Sequence, residues 1–477
     1  MNDHFPVMIP GADSSGELIV TAPFDGKKIA TVSCVDSKGV EKALENGHRL
    51  FENRDLWLSI PKRLEILDKA ATLMEQQADM LATEAAREGG KPLIDSQVEV
   101  ARAIDGVRLC VETLRTQSGT EIPMRLNASS EGRLAFTRLE PIGLIVAVSA
   151  FNHPLNLIVH QVGPAVATGC PVIVKPSMDT PLSCLRFLKI LRDAGLPEEW
   201  CQVAITEDNN ATKLVVDERV RFFSFIGSAK IGWMLRSKLA PGTRCALEHG
   251  GAAPAIIASD ADLDMALPLL VKGGFYHAGQ ICVSVQRVFA HNSIARELAE
   301  RMAKSANALR LGDPTLPETE VGPLIRHREV DRVEEWVNEA VAGGAELLAG
   351  GKRISDSMFQ CTVLFNPPSE AKVSCLEIFG PVVCIYQYTD IDEAISQANS
   401  VPFAFQAAVF TQDINLALRA YKHLNASAVM VNDHTAFRVD WMPFAGLGVS
   451  GHGIGGIPYT MRDIQIEKMM VVRSTEL

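Results

Sequence analysis

After a short irregular start, the apolar positions of this chain fall at helical spacing. Leu64, Leu67, Ala71, Met74, Ala78 and Leu81 recur at steps of three and four, as one buried face of a helix requires. A second helix carries Ala101, Ile104, Val111 and Leu114 on its stripe, and Arg108 falls on that stripe too. Such an arginine either snorkels from the helix edge or aims its cation into a pocket. Between Glu121 and Glu140 the period drops to two: residues 133–139 alternate polar and apolar, an exposed strand that needs a partner.

Beyond that strand the chain alternates short apolar runs, at 142–149, 171–175, 201–205, 220–226 and 243–248, with longer amphipathic segments. Alternation of this kind specifies an α/β fold, a parallel sheet covered by helices on both faces. A second α/β region runs from about 251 to 449, with helices predicted near 262–274, 295–309 and 329–342. The closing stretch, 464–473, alternates again and pairs either with the strand near Leu134 or with a neighbouring subunit.

Length and composition narrow the functional classes. At 477 residues the chain exceeds what one hydrophobic core serves, so two or three domains are expected. A net charge of −11 argues against nucleic acid or an anionic membrane as the main partner, and any anionic ligand needs a local basic pocket. Ten cysteines show neither a C-x-x-C pair nor the close spacing of a zinc site or disulfide framework, so no metal is expected and the thiols read as reduced. The N-terminus lacks a basic segment followed by an apolar one, and no apolar stretch is long enough to span a bilayer. These features predict a soluble, cytoplasmic protein.

In open parallel sheets, ligands bind outside the carboxyl ends of the strands. There the first run leads into Phe151-Asn152-His153-Pro154, the second ends in Lys175-Pro176-Ser177, the fourth enters Gly227-Ser228, and the fifth ends in Glu248-His249-Gly250-Gly251. Amide, ammonium, glycine turn and carboxylate thus meet on one rim. Taken singly, each has a plain structural reading: a turn asparagine, a solvated lysine, a tight strand-to-helix turn, a capping carboxylate. Farther on, Gly279-Gln280-Ile281-Cys282 sets a cysteine just past a predicted helix. A free cysteine is more often a small buried hydrophobe than a nucleophile, so its surroundings must decide.

Those motifs, with Phe225-Ile226-Gly227-Ser228, Glu377-Ile378-Phe379-Gly380-Pro381, Pro443-Phe444-Ala445-Gly446 and Ser450-Gly451-His452-Gly453, stand in the order found in the NAD(P)-dependent aldehyde dehydrogenases, which the chain resembles over essentially its whole length. The resemblance implies a Rossmann-type dinucleotide-binding domain (1–118 and 141–250), a catalytic α/β domain (251–449), and a small β oligomerisation element (119–140 and 450–477) that makes a homodimer or homotetramer. It also implies roles. Cys282 would attack an aldehyde, Asn152 with the Cys282 N–H would form the oxyanion hole, and Glu248 would act as general base. Lys175, Ser177, Gly227, Ser228, Gly250, Glu377 and Phe379 would hold NAD or NADP, with NAD favoured. A thiolate suits this chemistry because it both attacks and, once acylated, leaves. Donors aimed at the oxyanion are worth about 3–4 kcal/mol.

Some positions depart from the family's commonest pattern. Met178 stands where NAD-preferring members often carry a glutamate, which leaves NADP open. His249 stands where leucine is frequent, Ala445 replaces a glycine, and Gly455 occupies the place of a second glutamate that relays protons in many members. The Asn152–His160 segment and the R-x-D-x-M-P-F pattern from Arg438 resemble the branch of lactaldehyde, glyceraldehyde-phosphate and phosphonoacetaldehyde dehydrogenases. Arg108, His160 and Arg438 are then candidates for binding an anionic short aldehyde by charge-assisted hydrogen bonds. Transfer of the acyl group to coenzyme A is the alternative that Glu248 counts against. A non-catalytic cofactor-binding relative is the alternative that Cys282, Glu248, Asn152 and Lys175 together count against.

Overall fold

A computed structural model describes residues 3–477. Its first large sheet has six strands in the order Gly451–His452, Arg244–Glu248, Val220–Ile226, Leu144–Val148, Val172–Lys175 and Cys201–Val203. All are parallel except the two-residue edge strand, which runs antiparallel to Arg244–Glu248. From Leu144–Val148 the chain steps outward through two strands and then returns to build the other side. The strand order therefore reverses beside Leu144–Val148, where such sheets open a crevice at their carboxyl ends.

Alternate residues of these strands feed two cores. Ile145, Ala147, Val172 and Val174 pack with Ile66, Leu67, Val107 and Phe187 from helices on one face. Leu144, Val146 and Ile173 pack with Val40, Leu44, Leu214 and Leu235 on the other. Helix Asn156–Thr168 is buried along its whole length, which explains why its sequence shows no polar face.

The second sheet has seven strands in the order Glu346–Ala349, Thr362–Phe365, Val382–Tyr388, Val285–His291, Ala253–Ile257, Gln406–Phe410 and Ala428–Val431. Only its first pair is antiparallel. Helices Leu263–Phe275, Asn292–Ala308 and His327–Ala342 cover it. The second of these begins before the expected 295 because the cap precedes the apolar stripe: the His291 side chain accepts the Ser293 N–H.

Strand Gln465–Arg473 runs antiparallel to Arg133–Pro141, from Gln465 opposite Pro141 to Arg473 opposite Arg133. The closing stretch thus finds its partner within its own chain. Of the rest of 450–477, Gly451–His452 joins the six-stranded sheet and helix Ile457–Asp463 packs on helices Asn156–Thr168 and Leu93–Thr116.

Three other expectations change. The start is not irregular: Asp3–Phe5, Gly16–Thr21 and Lys28–Cys34 form a small sheet. The helix read through 64–81 is two, Ile60–Gln76 and Ala78–Gly89, joined at Gln77, where the backbone leaves the helical region for one residue and the apolar spacing carries on. In helix Leu93–Thr116 the buried face is Val100, Ala103, Ile104, Val107, Cys110, Val111 and Leu114, so Ala101 and Arg108 lie outside. Among the described residues no helix is long and apolar enough to cross a membrane.

Candidate active site

A cavity of about 410 Å³ opens along the carboxyl ends of the six-stranded sheet and continues between it and the second sheet. Lys175, Ser177, Gly227 and Ser228 line one end; Asn152, Glu248, Cys282 and Arg438 line the other; Gly250, Glu377 and Phe379 stand between them. All ten residues expected at the catalytic and cofactor positions therefore face one space.

Cys282 is fixed by the loop that presents it. After helix Leu263–Phe275 the backbone makes a left-handed turn through His277 (φ 48, ψ 41), Ala278 (φ 54, ψ 33) and Gly279 (φ 71). Non-glycine residues pay roughly 1–2 kcal/mol each for that conformation. Gly279 is required on a second ground, because a side chain there would run into the Gly380 carbonyl. Buried Gln280 holds the turn from inside: its amide donates to His277 O and Pro323 O, both at 3.2 Å, and its oxygen accepts Ile325 N–H at 3.0 Å. The Thr435 hydroxyl donates to Val283 O at 2.6 Å beyond the cysteine. Burial pushes the Cys282 thiol up to about 12, against the opposing charge of Arg438. The resting thiol is therefore protonated at neutral pH and needs a base.

Glu248 ends its strand with its carboxyl raised above the ordinary value by burial, again opposed by Arg438. Its position explains one departure from the family pattern. A Cβ at Gly455 would overlap Glu248 Oε1, so the glycine is the floor on which this carboxyl rests. Asn152 is buried, and its side-chain amide donates to Gln280 O at 2.9 Å, two residues ahead of Cys282.

On the other side, Lys175 is only 9% exposed yet has neither a hydrogen bond nor an ion pair among the described residues, and burial lowers its pKa. Ser149 Oγ, buried in the same cavity wall, also lacks a partner. The Ser177 hydroxyl lies 3.3 Å from Asp179, whose carboxylate is held by Arg326. Glu377 accepts the Gly251 N–H at 3.1 Å, and burial pushes its carboxyl up to about 7. A Cβ at Gly250 would overlap that carboxyl, so the glycine is what lets Glu377 reach the cavity. His249 turns away from the chemistry: Nδ1 donates to Val449 O at 2.9 Å, and the ring meets Phe225 and Trp233 edge-on. Its Nε2 fills the space over Gly232 that any side chain there would need. An orphaned ammonium, an orphaned hydroxyl and glycines that clear the way for Glu377 and His249 fit a dinucleotide along this cleft. Among the described residues no group of acidic, histidine or cysteine side chains is arranged to hold a metal.

The substrate-side candidates need correction. Arg108 is exposed and pairs with Glu75 at 2.7 Å on the outer face of its helix, far from a cavity role. Arg102, on the same helix, lines the cavity instead and grips Asp440 with two bonds, 2.6 and 3.1 Å. His160 does not line the cavity; it lies behind the wall, 4% exposed, with Nε2 donating to Asp440 Oδ1 at 2.7 Å and Nδ1 facing Arg438 Nη2 at 3.4 Å. Burial and the charge of Arg438 drop its pKa to about 4, so it stays neutral. Burial pushes the Asp440 carboxyl up, but the His160 hydrogen bond and the Arg102 charge outweigh it and hold the group ionised. Arg438 does face the cavity, stacked on Phe444 at 3.6 Å, with Nε shut away from solvent and unpartnered. Sequence reasoning missed Arg102, whose one signal was a charge between two buried positions, Val100 and Ala103.

A switch-point crevice that runs into a half-buried cysteine beside a carboxyl defines a dinucleotide-dependent oxidoreductase. The chain belongs to the aldehyde dehydrogenase family, NAD(P)-dependent enzymes that oxidise aldehydes, and matches it over residues 11–470. Among its relatives is the 3-sulfolactaldehyde dehydrogenase of Priestia aryabhattai, 36% identical over 448 residues that cover 93% of this chain and 92% of that one. Among solved structures, aldehyde dehydrogenase 21 of Physcomitrella patens, in complex with its reaction product succinate, superposes with a TM-score of 0.95 at 33% identity, covering 100% of this chain and 99% of that one. The glyceraldehyde-3-phosphate dehydrogenase GapN of Methanocaldococcus jannaschii, complexed with NADP, follows with a TM-score of 0.91 at 33% identity, covering 98% and 100%.

Proposed function

We propose that this aldehyde dehydrogenase oxidises a short aldehyde bearing an anionic group to the carboxylic acid, through a thioester on Cys282. The observation that carries the substrate class is the pair of guanidinium groups at the cavity wall. Arg102 bonds Asp440 directly and Arg438 reaches it only through neutral His160, so Arg438 faces the cavity with no ion-pair partner of its own, and Glu248, whose charge also acts on it, is pushed toward its neutral form by burial. A desolvated cation without an anion is costly, and a sulfonate, phosphate or carboxylate on the substrate would complete the set. The relatives act along the same line: one is named for a sulfonated aldehyde, one holds a dicarboxylate product, one is named for a phosphorylated aldehyde.

In this reading Glu248 takes the Cys282 proton, and the sulfur attacks the aldehyde carbon to give a thiohemiacetal. The Asn152 amide and the Cys282 N–H donate to its oxyanion. Lys175, Ser177, Gly227, Ser228, Gly250, Glu377 and Phe379 would hold NAD or NADP, which when bound would accept the two electrons that take the thiohemiacetal to the thioester. Glu248, once it has passed the thiol proton on to solvent, removes a proton from water as it attacks the thioester; the acyl carbon–sulfur bond breaks, and Cys282 leaves as a thiolate with the acid as product. Met178 puts no carboxylate at its place in the cavity wall, which keeps both dinucleotides in play. The proposed domain division keeps the six-stranded sheet as the cofactor domain and the seven-stranded sheet as the catalytic one. Edge strand Gln465–Arg473, with Met469 and Met470 each 55% exposed, supports assembly into a homodimer or homotetramer. Ten free cysteines suit a reducing, cytoplasm-like compartment.

The test compares Arg438→Ala on succinic semialdehyde and on propanal, followed at 340 nm. Loss of a charge-assisted contact should raise KM for the anionic aldehyde by roughly tenfold to a hundredfold and leave propanal within about threefold. Equal effects on both would sink the anion-pocket reading.

A further inference from the structure

The loop that carries Asn152 is held at both ends by one buried ion pair. Lys91 follows helix Ala78–Gly89, and Glu99 lies on helix Leu93–Thr116; they are 0% and 1% exposed, and Lys91 Nζ donates to Glu99 Oε2. Lys91 Nζ also donates to the backbone carbonyl of Asn152 at 3.2 Å. Glu99 Oε1 accepts the backbone N–H groups of Leu155 and Asn156, both at 2.9 Å, where helix Asn156–Thr168 begins. The cation thus fixes one end of a five-residue loop and the anion the other. Each bond to the loop goes to its backbone, which leaves the Asn152 side chain free to point the opposite way, toward Gln280 O and the nucleophile's loop.

Stability alone does not account for this arrangement. Two charges shut away from water are costly to bury, and an apolar pair often fills such a space at least as well; what an apolar pair would not supply here is the three bonds to the loop backbone. Burial lowers the Lys91 pKa, the direction that cost predicts. An oxyanion donor, by contrast, gains from being held rigidly, since its value depends on being oriented before charge develops. We infer that Lys91 and Glu99 are positioning residues whose shared hold on the 152–156 backbone aims the Asn152 amide at the reacting oxygen. The inference rests on Asn152 being the oxyanion donor, and its test separates the two.

Single-turnover formation of reduced cofactor at 340 nm is measured for wild type, Asn152→Ala, Lys91→Met/Glu99→Leu, and the triple variant, alongside aldehyde KM, dinucleotide Kd and Tm. The paired apolar replacement takes these partners from the Asn152 carbonyl and the Leu155 and Asn156 N–H groups, so Tm should fall by a few degrees with the fold kept; both binding constants should stay within about threefold, while the rate falls about a hundredfold for a donor displaced by about an ångström. Added to Asn152→Ala, it should cost less than about threefold more, because the same donor is already gone. A double variant within threefold of wild type in rate, or one whose loss multiplies with that of Asn152→Ala, overturns the inference. If Asn152→Ala itself retains nearly full rate, the oxyanion assignment fails, and the inference with it. Should the double variant fail to fold, Lys91→Met alone reads the same point, because Glu99 still accepts the Leu155 and Asn156 N–H groups while the Asn152 end of the loop is released. It should lose about tenfold in rate with KM unmoved and no further loss on Asn152→Ala; unchanged rate or multiplicative loss overturns the inference.

Discussion

A methyl group added at position 455 would land on the proposed catalytic carboxyl. The Cβ of Gly455→Ala overlaps Glu248 Oε1 and lies 3.0 Å from the Phe444 carbonyl. The carbonyl contact is tight but can relax by a few tenths of an ångström, so the fold should survive. The carboxyl is the movable partner, the far end of a flexible side chain, and must shift by about 1 Å or more to regain ordinary contact. A misplacement of that size costs on the order of a hundredfold in rate, or ~2.7 kcal/mol in the barrier. Glu248 serves twice in the proposed cycle, so the later step, hydrolysis, exposes the loss most clearly. Stopped-flow absorbance at 340 nm should show a burst of reduced cofactor of about one equivalent per site, followed by a slow steady state. Circular dichroism melting would verify that the variant is folded. A folded Gly455→Ala enzyme with wild-type or higher kcat and no burst would refute the placement of the base.

Two further outcomes follow from burial and backbone conformation. Ala278→Gly removes the left-handed penalty of a residue at φ 54, which should raise stability by about 1 kcal/mol, seen as a higher Tm; a lower Tm would mean that the alanine packing outweighs the strain. Glu377 has a folded pKa of about 7 against an ordinary 4.5, so the folded state binds its proton more tightly. Its contribution is therefore fully present below pH 4.5 and lost as pH rises through about 7. Relative to wild type, Glu377→Gln should gain up to roughly 3 kcal/mol across that window in urea melts and stay level above it. A difference independent of pH would mean that the carboxyl is not desolvated as described.

The sequence made the chemistry more legible than the substrate. Strand-end residues such as Asn152, Lys175 and Glu248 could be placed because a parallel sheet gathers its carboxyl ends at one rim, whatever the helices do. Cys282 lies on no such rim, and only its motif pointed to it. Arg108 misled because its spacing fits the helical stripe about as well as that of the buried residues. A shift of one position along a helix rotates a side chain by 100°, enough to move it from cavity to solvent. Arg102 could not be chosen over it without knowing that Asp440, from the other end of the chain, would be waiting. Lys91 and Glu99 were silent for a similar reason: their partners are backbone atoms of a distant loop, which leave no mark in residue type.

The guanidinium pair and the reacting groups belong to different stretches of chain. Arg102 rides on a long helix and Arg438 on a loop near the C-terminus, whereas Glu248 ends a strand, Asn152 sits on the loop beyond one, and Cys282 on its own braced turn. The two sets nevertheless meet: Arg102 shares its helix with Glu99, which grips the Asn152 loop, and the charge of Arg438 acts on both Cys282 and Glu248. A change of substrate acid group made at either arginine would therefore be felt by the reacting groups as well.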